Sequence, residues 1–251
     1  MKKQLSILTA TILCLGVTTT FAQMGGRGGS PGPRFDSAMT KLFGDNTTFS
    51  ATMEFQTSPK PGESITMPGK MAFDAGKSRF EMNMSEAKGM KIPPSAVEQM
   101  KSMGMDSLVS ISRPDKNVVY IVYPGLHSFV EMAPPDTSAN TDNSDFKVET
   151  TELGKETTEG HDCVKNKVVV TDKNGKTHES TVWNATDLKK FPVKIVTSEN
   201  GQEATMLFKN VSFDKPAASS FDAPADFTKY DNMQNMMQAE MMKKMAGAAG
   251  K

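Results

Sequence analysis

The chain has 251 residues, and its 29 Lys and Arg balance 29 Asp and Glu, so the formal net charge is zero. That balance excludes the broad basic surface that nucleic acid or an anionic bilayer requires. Twenty methionines stand against fourteen Phe, three Tyr and one Trp, which argues against an aromatic-rich core, and the two cysteines exclude a disulfide-stapled scaffold.

The amino terminus carries Lys2 and Lys3, an apolar run from Leu5 to Val17, and a close at Thr20, Phe21 and Ala22. This order is that of a cleavable secretory signal over residues 1–22, with cleavage expected after Ala22. The run is about a dozen residues, a membrane-spanning helix needs roughly twenty, and no second such run follows. An address rather than an anchor is therefore expected, and the mature chain is placed in the periplasm or outside the cell. Lipid attachment at Cys14 is disfavoured, because Leu13 occupies the position where that processing requires a small residue. Loss of residues 1–22 leaves Cys163 as the one cysteine, so no intramolecular disulfide can form.

Residues 23–34 are Gly-rich and too polar to bury, which predicts a flexible spacer. Residues 35–251 are then expected to form a single β-rich domain. Phe35, Met39, Leu42 and Phe43 lie at helical spacing, with Asp36 or Ser37 as cap and Gly44 as stop. From Thr47 the period becomes two: Phe49, Ala51, Met53 and Phe55 alternate with Ser50, Thr52, Glu54 and Gln56. The same alternation places Phe80, Met82 and Met84 on one face of a later strand, after a stretch containing Met71 and Phe73. Ser95 and Glu98 have capping-box spacing, predicting a helix from Ser95 to Met103. Residues 108–132 read as a three-stranded meander whose turns are Arg113-Pro114-Asp115-Lys116 and Pro124-Gly125.

Residues 133–145 are almost wholly Pro, Asp, Ser, Asn and Thr and predict a mobile loop. Further strands are expected at 147–153, 161–171, 177–183, 193–197 and 205–213. Asn174-Gly175 signals a two-residue hairpin loop that would set Thr171 opposite His178. That register puts Val164, Val168, Val170, Thr181 and Trp183 on one face, with Cys163, Lys165, Lys167, His178 and Ser180 on the other. A last helix over 231–246 would carry Met233, Met236, Met237, Met241 and Met245 in one stripe.

In that register Cys163 and His178 lie roughly 26 Å apart, too far for a nucleophile and its base. His161 and Cys163 share a face, yet two such ligands complete neither a zinc site nor a triad. No nucleotide, zinc-protease or hydrolase signature occurs. No enzyme, cofactor or resident metal is expected.

The methionines admit three readings. They fill gaps in a core poor in aromatics; or they line an apolar groove built from Phe49, Met53, Phe55, Phe80, Met82, Met84, Met100 and Met103 that accepts a hydrophobic small molecule or lipid. The third reading, copper, rests on Met82-x-Met84 and Met103-x-Met105, whose soft thioethers suit Cu(I).

Three segments carry a family resemblance: Ile111 to Pro124 leading to Phe129–Met132, Gly160-His161-Asp162-Cys163, and Asp187-Leu188-Lys189-Lys190-Phe191-Pro192. With the closing Ser220 to Tyr230, they resemble the family called domain of unknown function 4412, over roughly residues 47–230. The resemblance implies an exported bacterial protein similar in fold to the periplasmic lipoprotein carriers, in which a half-open antiparallel barrel wraps around helices and shelters acyl chains. It carries over no catalytic residue.

The expectation is an α+β fold: a large curved antiparallel sheet of about ten strands, lipoprotein-carrier-like, packed on two or three helices. The expected function is non-catalytic binding of a hydrophobic ligand, a lipid or lipoprotein acyl chain, with no nucleic acid and no transmembrane segment. The alternatives are an envelope protein of structural or stress-related role that binds other proteins, and a Met-rich copper-binding protein.

Overall fold

The computed structural model describes residues 37–58, 63–90, 92–134, 146–172, 174–199 and 202–249. The expected signal, the spacer and all but the first two residues of the expected loop at 133–145 lie outside them. Twelve strands form one sheet in the order β12-β6-β5-β4-β3-β2-β1-β11-β10-β9-β8-β7. Its amino-terminal strands are β1 (Thr48–Thr57), β2 (Ile65–Asp74), β3 (Lys77–Asn83), β4 (Ser107–Arg113), β5 (Val118–Tyr123) and β6 (Ser128–Met132). The remainder are β7 (Lys147–Thr158), β8 (His161–Thr171), β9 (Thr177–Ala185), β10 (Pro192–Glu199), β11 (Gln202–Ser212) and β12 (Thr228–Tyr230).

Period-two alternation converts directly into two faces. On the inner face Phe49 stands opposite Phe73, Ala51 opposite Met71, and Met71 in turn opposite Phe80. The core on this face is joined by a helical turn α1 (Ser37–Thr40), continued by a 3-10 turn through Phe43, and by the start of α3 (Met233–Ala249), while α2 (Pro94–Met103) lies between β3 and β4 in the chain. Leu42 and Phe43 are buried where the first of these meets the sheet, and Met100 and Met236 are the buried residues of α2 and α3. The end of α2 is fixed by a backbone approach: a Cβ on Gly104 would fall 2.3 Å from the Gly125 carbonyl oxygen, so only glycine fits there.

The opposite, outer face is dry over β4 to β6. There Val109, Ile111, Tyr120, Val122 and Phe129 are covered by Phe221 from the segment that leads to β12. Arg113 ties that segment down by donating to the Phe221 carbonyl at 3.2 Å and pairing with Asp115 and Asp222.

Four expectations need correction. The sheet is mixed, because β12 runs parallel to β6 through Thr228↔Ser128 and Tyr230↔Val130. Met84 does not continue β3 but opens a 3-10 turn, after the Asn83 side chain accepts from Ser85 N. The β8–β9 loop is longer than two residues, since Asp172 Oδ1 accepts from both Asn174 N and Lys176 N. Thr171 therefore pairs with Thr177, not His178, and Trp183 lies opposite Lys165. That one-residue shift moves Trp183 and Thr181 to the face of Cys163, Lys165 and Lys167, and His178 and Ser180 to that of Val164, Val168 and Val170.

The methionine stripe of α3 is the fourth. Met236 is fully buried and Met233 and Met237 pack on the core, but Met241 and Met245 are 57% and 67% exposed. Glu240 ends the dry part of the helix: its carboxylate accepts from Ser128 Oγ and the Tyr230 hydroxyl, each at 3.0 Å. Beyond that polar anchor the helix leaves the sheet.

Candidate functional site

Of the residues expected to line a groove, Phe49, Met53, Phe55, Phe80 and Met82 belong to the inner face of the sheet, Met84 opens a 3-10 turn, and Met100 and Met103 lie on α2. Phe49, Met53, Phe80, Met82 and Met100 are 0–5% exposed. Phe55, Met84 and Met103 are half-buried. Around Phe49 the interior is closed by rings, with Phe43 at 4.8 Å, Phe191 at 4.9 Å and Phe73 at 5.5 Å between centroids, and Phe208 at 5.6 Å from Phe43. These edge and tilted contacts make the centre of the core a cluster of phenylalanines, although the composition argued against an aromatic-rich core.

The same face remains open at its other end. Across β7, β8 and β9 the inward residues are small: Val148 faces Val170, Thr150 faces Val168, Asn166 faces Val182 and Val164 faces Asn184. These short side chains, under the turn Lys41–Asn46 and beside the loop Thr186–Lys190, leave a cavity of about 570 Å³. Val164, Val168 and Val182 alternate on its floor with Thr150, Asn166 and Asn184, Leu42 faces them from the turn above, and Val148 at its outer edge is 44% exposed.

Its polar residues divide into satisfied amides and charges. Asn46 Nδ2 donates to the carbonyls of Phe43 at 3.0 Å and Lys189 at 3.3 Å. Asn184 Nδ2 donates to the Lys190 carbonyl at 2.9 Å, while its Oδ1 accepts from Asn166 at 2.9 Å. Two amides thus hold Lys189 and Lys190, whose φ angles of 52° and 57° are consecutive left-handed conformations that side chains rarely adopt unaided. The charges lining the cavity are Lys41, Lys189 and Lys190 against Asp45 and Glu152. Lys189 Nζ lies 4.5 Å from the Phe213 ring centre, and Lys41 Nζ 5.7 Å from that of Phe146.

The thiol and imidazoles are differently placed. Cys163 is buried opposite Ala185, donates weakly to the His161 carbonyl at 3.4 Å, and has its pKa raised, chiefly by burial. A thiol so perturbed stays protonated at neutral pH and is a poor nucleophile. His161 Nδ1 instead meets Asp187 Oδ2 at 2.8 Å, and that hydrogen bond lowers the Asp187 pKa. Trp183 is buried on the outer face between Lys165 and Lys194, their ammoniums 4.9 and 4.4 Å from its ring, and it donates to Glu156. Among the described residues no group of three His, Cys, Asp or Glu side chains could hold a metal ion.

A second recess, of about 460 Å³, is lined by Thr52, Glu54, Lys70, Glu81 and Lys209 together with Met53, Met82 and Leu108, so it borders two of the residues expected to form a groove. Its charges already pair, Lys209 with Glu54 at 3.1 Å and Glu159 at 3.2 Å. The cavity-lining residues Val164, Val168, Val182, Lys41 and Lys190 were not singled out as site residues from the sequence. The available signal was their size, since β8 carries Val and Asn inward where β1 carries Phe and Met.

Fold and cavity together define a large open mixed sheet with few helices and an amphiphilic recess at one end of its inner face. No family model matches the chain, so the resemblance to domain of unknown function 4412 is not confirmed. No curated protein matches it. Among solved structures, a LolA superfamily protein from Nitrosomonas europaea is similar at 8% identity and a TM-score of 0.39, over 74% of this chain and 94% of that one. The lipoprotein LppX from Mycobacterium tuberculosis is similar at 11% identity and a TM-score of 0.39, over 71% and 97% of the two chains. A DUF1329 family protein from Desulfovibrio piger is similar at 12% identity and a TM-score of 0.35, over 76% and 95%. Likeness of this degree carries no argument about a ligand. No helix among the described residues is long and apolar enough to cross a membrane.

Proposed function

We propose that this chain is exported by residues 1–22 and acts as a non-catalytic binding protein, holding a hydrophobic small molecule or lipid in the recess over β7, β8 and β9. The observation that carries this reading is a cavity of about 570 Å³ on the inner face of β7, β8 and β9, with Val164, Val168 and Val182 in its floor and Leu42 in the turn above it. Its size falls within the range of about 300–1,000 Å³ typical of small-molecule sites.

Organic extraction of the protein purified from its native periplasm, followed by mass spectrometry, tests the reading. A stoichiometric apolar molecule is expected from the wild type and none from Val164→Trp, which fills the cavity. An extract without any such molecule, together with no uptake of a fluorescent apolar probe, would end the proposal.

A second reading, an envelope protein that binds other proteins, is favoured by β7. It is the terminal strand of the sheet, its twelve residues are exposed almost throughout, and among the described residues it pairs only with β8. An edge of this length offers backbone groups to a partner's strand. Slowed amide exchange confined to Lys147–Thr158 in periplasmic extract would favour it; unchanged exchange there would remove it.

A further inference from the structure

We infer that α3 carries a site for a soft monovalent metal ion, Cu(I), formed by the thioethers of Met241, Met242 and Met245 on its solvent side. The inference is independent of the recess and of what fills it. Two observations carry it. The first is exposure: these side chains are 57%, 64% and 67% exposed, and the other large apolar side chains so exposed among the described residues, Val148 and Leu153, lie on β7. Met241, Met242 and Met245 therefore fill no gap in the core. The pair Met82-x-Met84, read from the sequence as a copper motif, is instead taken apart, because Met82 is buried in the core and Met84 has left the strand. The second observation is spacing within α3. Met245 stands at i+4 from Met241 and i+3 from Met242, separations at which side chains are neighbours on a helix surface, with Cβ atoms about 5–6 Å apart. Three sulfurs are thus gathered on one patch of the helix.

Ligand chemistry selects the ion. A thioether is polarizable and ends a side chain with three rotatable bonds, so three of them can turn onto one cation without moving the helix. Such soft ligands select Cu(I), whereas hard divalent ions require carboxylate and carbonyl oxygen. Gln234 and Gln238, at i+4 and i+3 spacing on the same side of the helix, are exposed and uncharged. The two lysines of that turn are engaged elsewhere. Lys243 donates to Glu240 at 2.7 Å and to the Tyr230 hydroxyl at 3.2 Å, and Lys244 donates to the Ser102 carbonyl. Those bonds hold both ammoniums away from the sulfurs.

The test titrates Cu(I), kept reduced by ascorbate in the absence of oxygen, into the protein against the chromogenic chelator bicinchoninate. The wild type is expected to withhold one equivalent more than Met241→Leu/Met242→Leu/Met245→Leu, which keeps an apolar surface of similar volume and removes the sulfur. The control Met103→Leu/Met105→Leu is expected to withhold as much as the wild type. Ag(I), which takes the same ligands without redox chemistry, should shift three methionine methyl resonances of the wild type, assigned to α3 by the three single substitutions. Should the triple variant fail to fold, the silver shifts decide alone. A wild type that withholds no Cu(I), a triple variant that withholds as much as the wild type, or a loss in the control instead overturns the inference and leaves the reading of the recess standing.

Discussion

The inner face of this sheet has two regions with the same alternation and opposite outcomes. Over β1, β2 and β11 the inward residues are Phe and Met, and with Phe43 and Phe191 they close the interior. Over β7 to β9 they are Val, Thr and Asn, and a recess remains beneath Lys41–Asn46. Alternation decides which way a side chain points, but its length decides whether it reaches the layer above. A dry face is therefore a core or a binding site according to side-chain volume, not pattern.

That contrast can be broken by mutation, most severely in the filled region. Phe49→Ala should destabilise the fold by about 3–5 kcal/mol in denaturant titration, since it removes a ring in contact with three others. A loss no larger than that of a surface substitution would mean the centre is not close-packed. In α3, Met236→Ala should cost about 2–5 kcal/mol, because Met236 is the buried methionine of that helix.

Asn46→Ala should cost about 1–3 kcal/mol by stranding two carbonyls at the boundary of the regions. Faster amide exchange in residues 186–190 should accompany it, and an unchanged loop would show that the lysine pair does not depend on this amide. Asp74 sharpens the comparison through pH. Its carboxyl is held below the usual range first by the hydrogen bond from Lys77, with Thr48 adding to it against the opposing effect of burial. The unfolded chain has the ordinary value of about 3.9, so the stabilisation is complete above that pH and is lost as pH falls through the lower folded value. Asp74→Asn should flatten the acid limb of the stability profile and leave probe binding at neutral pH unchanged. The smallest effect is expected at Met241→Ser, within about 0.5 kcal/mol, because that side chain is mostly exposed.

The strands were largely legible in the sequence. Phe49, Met53 and Phe80 alternate with polar partners, and the meander from Ser107 to Met132 carries turn residues at both bends, which the chain folds as 3-10 turns. The distal part of β7, from Gly154 to Thr158, was not legible, because an edge strand exposed on both faces has no apolar period to show. Neither was β12, whose three residues pair with a strand a hundred positions earlier after the Phe221 segment crosses the outer face. The hairpin register slipped because Asp172 caps a longer loop than Asn174-Gly175 implied.

For the site, the face was readable and the location was not. Phe49, Met53, Phe80 and Met82 do point inward, but whether an inward residue meets another ring or a void depends on what lies above it. That is set by contacts distant in sequence, such as Asn46 with Lys189 and Glu240 with Ser128.

By itself the sequence determined a β-rich chain and the inward face of most strands, because these follow from local period and composition. Only the tertiary structure decided which part of that face is solid, where α3 leaves the sheet and which lysines overhang the recess. The reason is physical: side-chain direction is fixed by neighbours along the chain, whereas filled and empty space are fixed by residues that meet only when the sheet has formed.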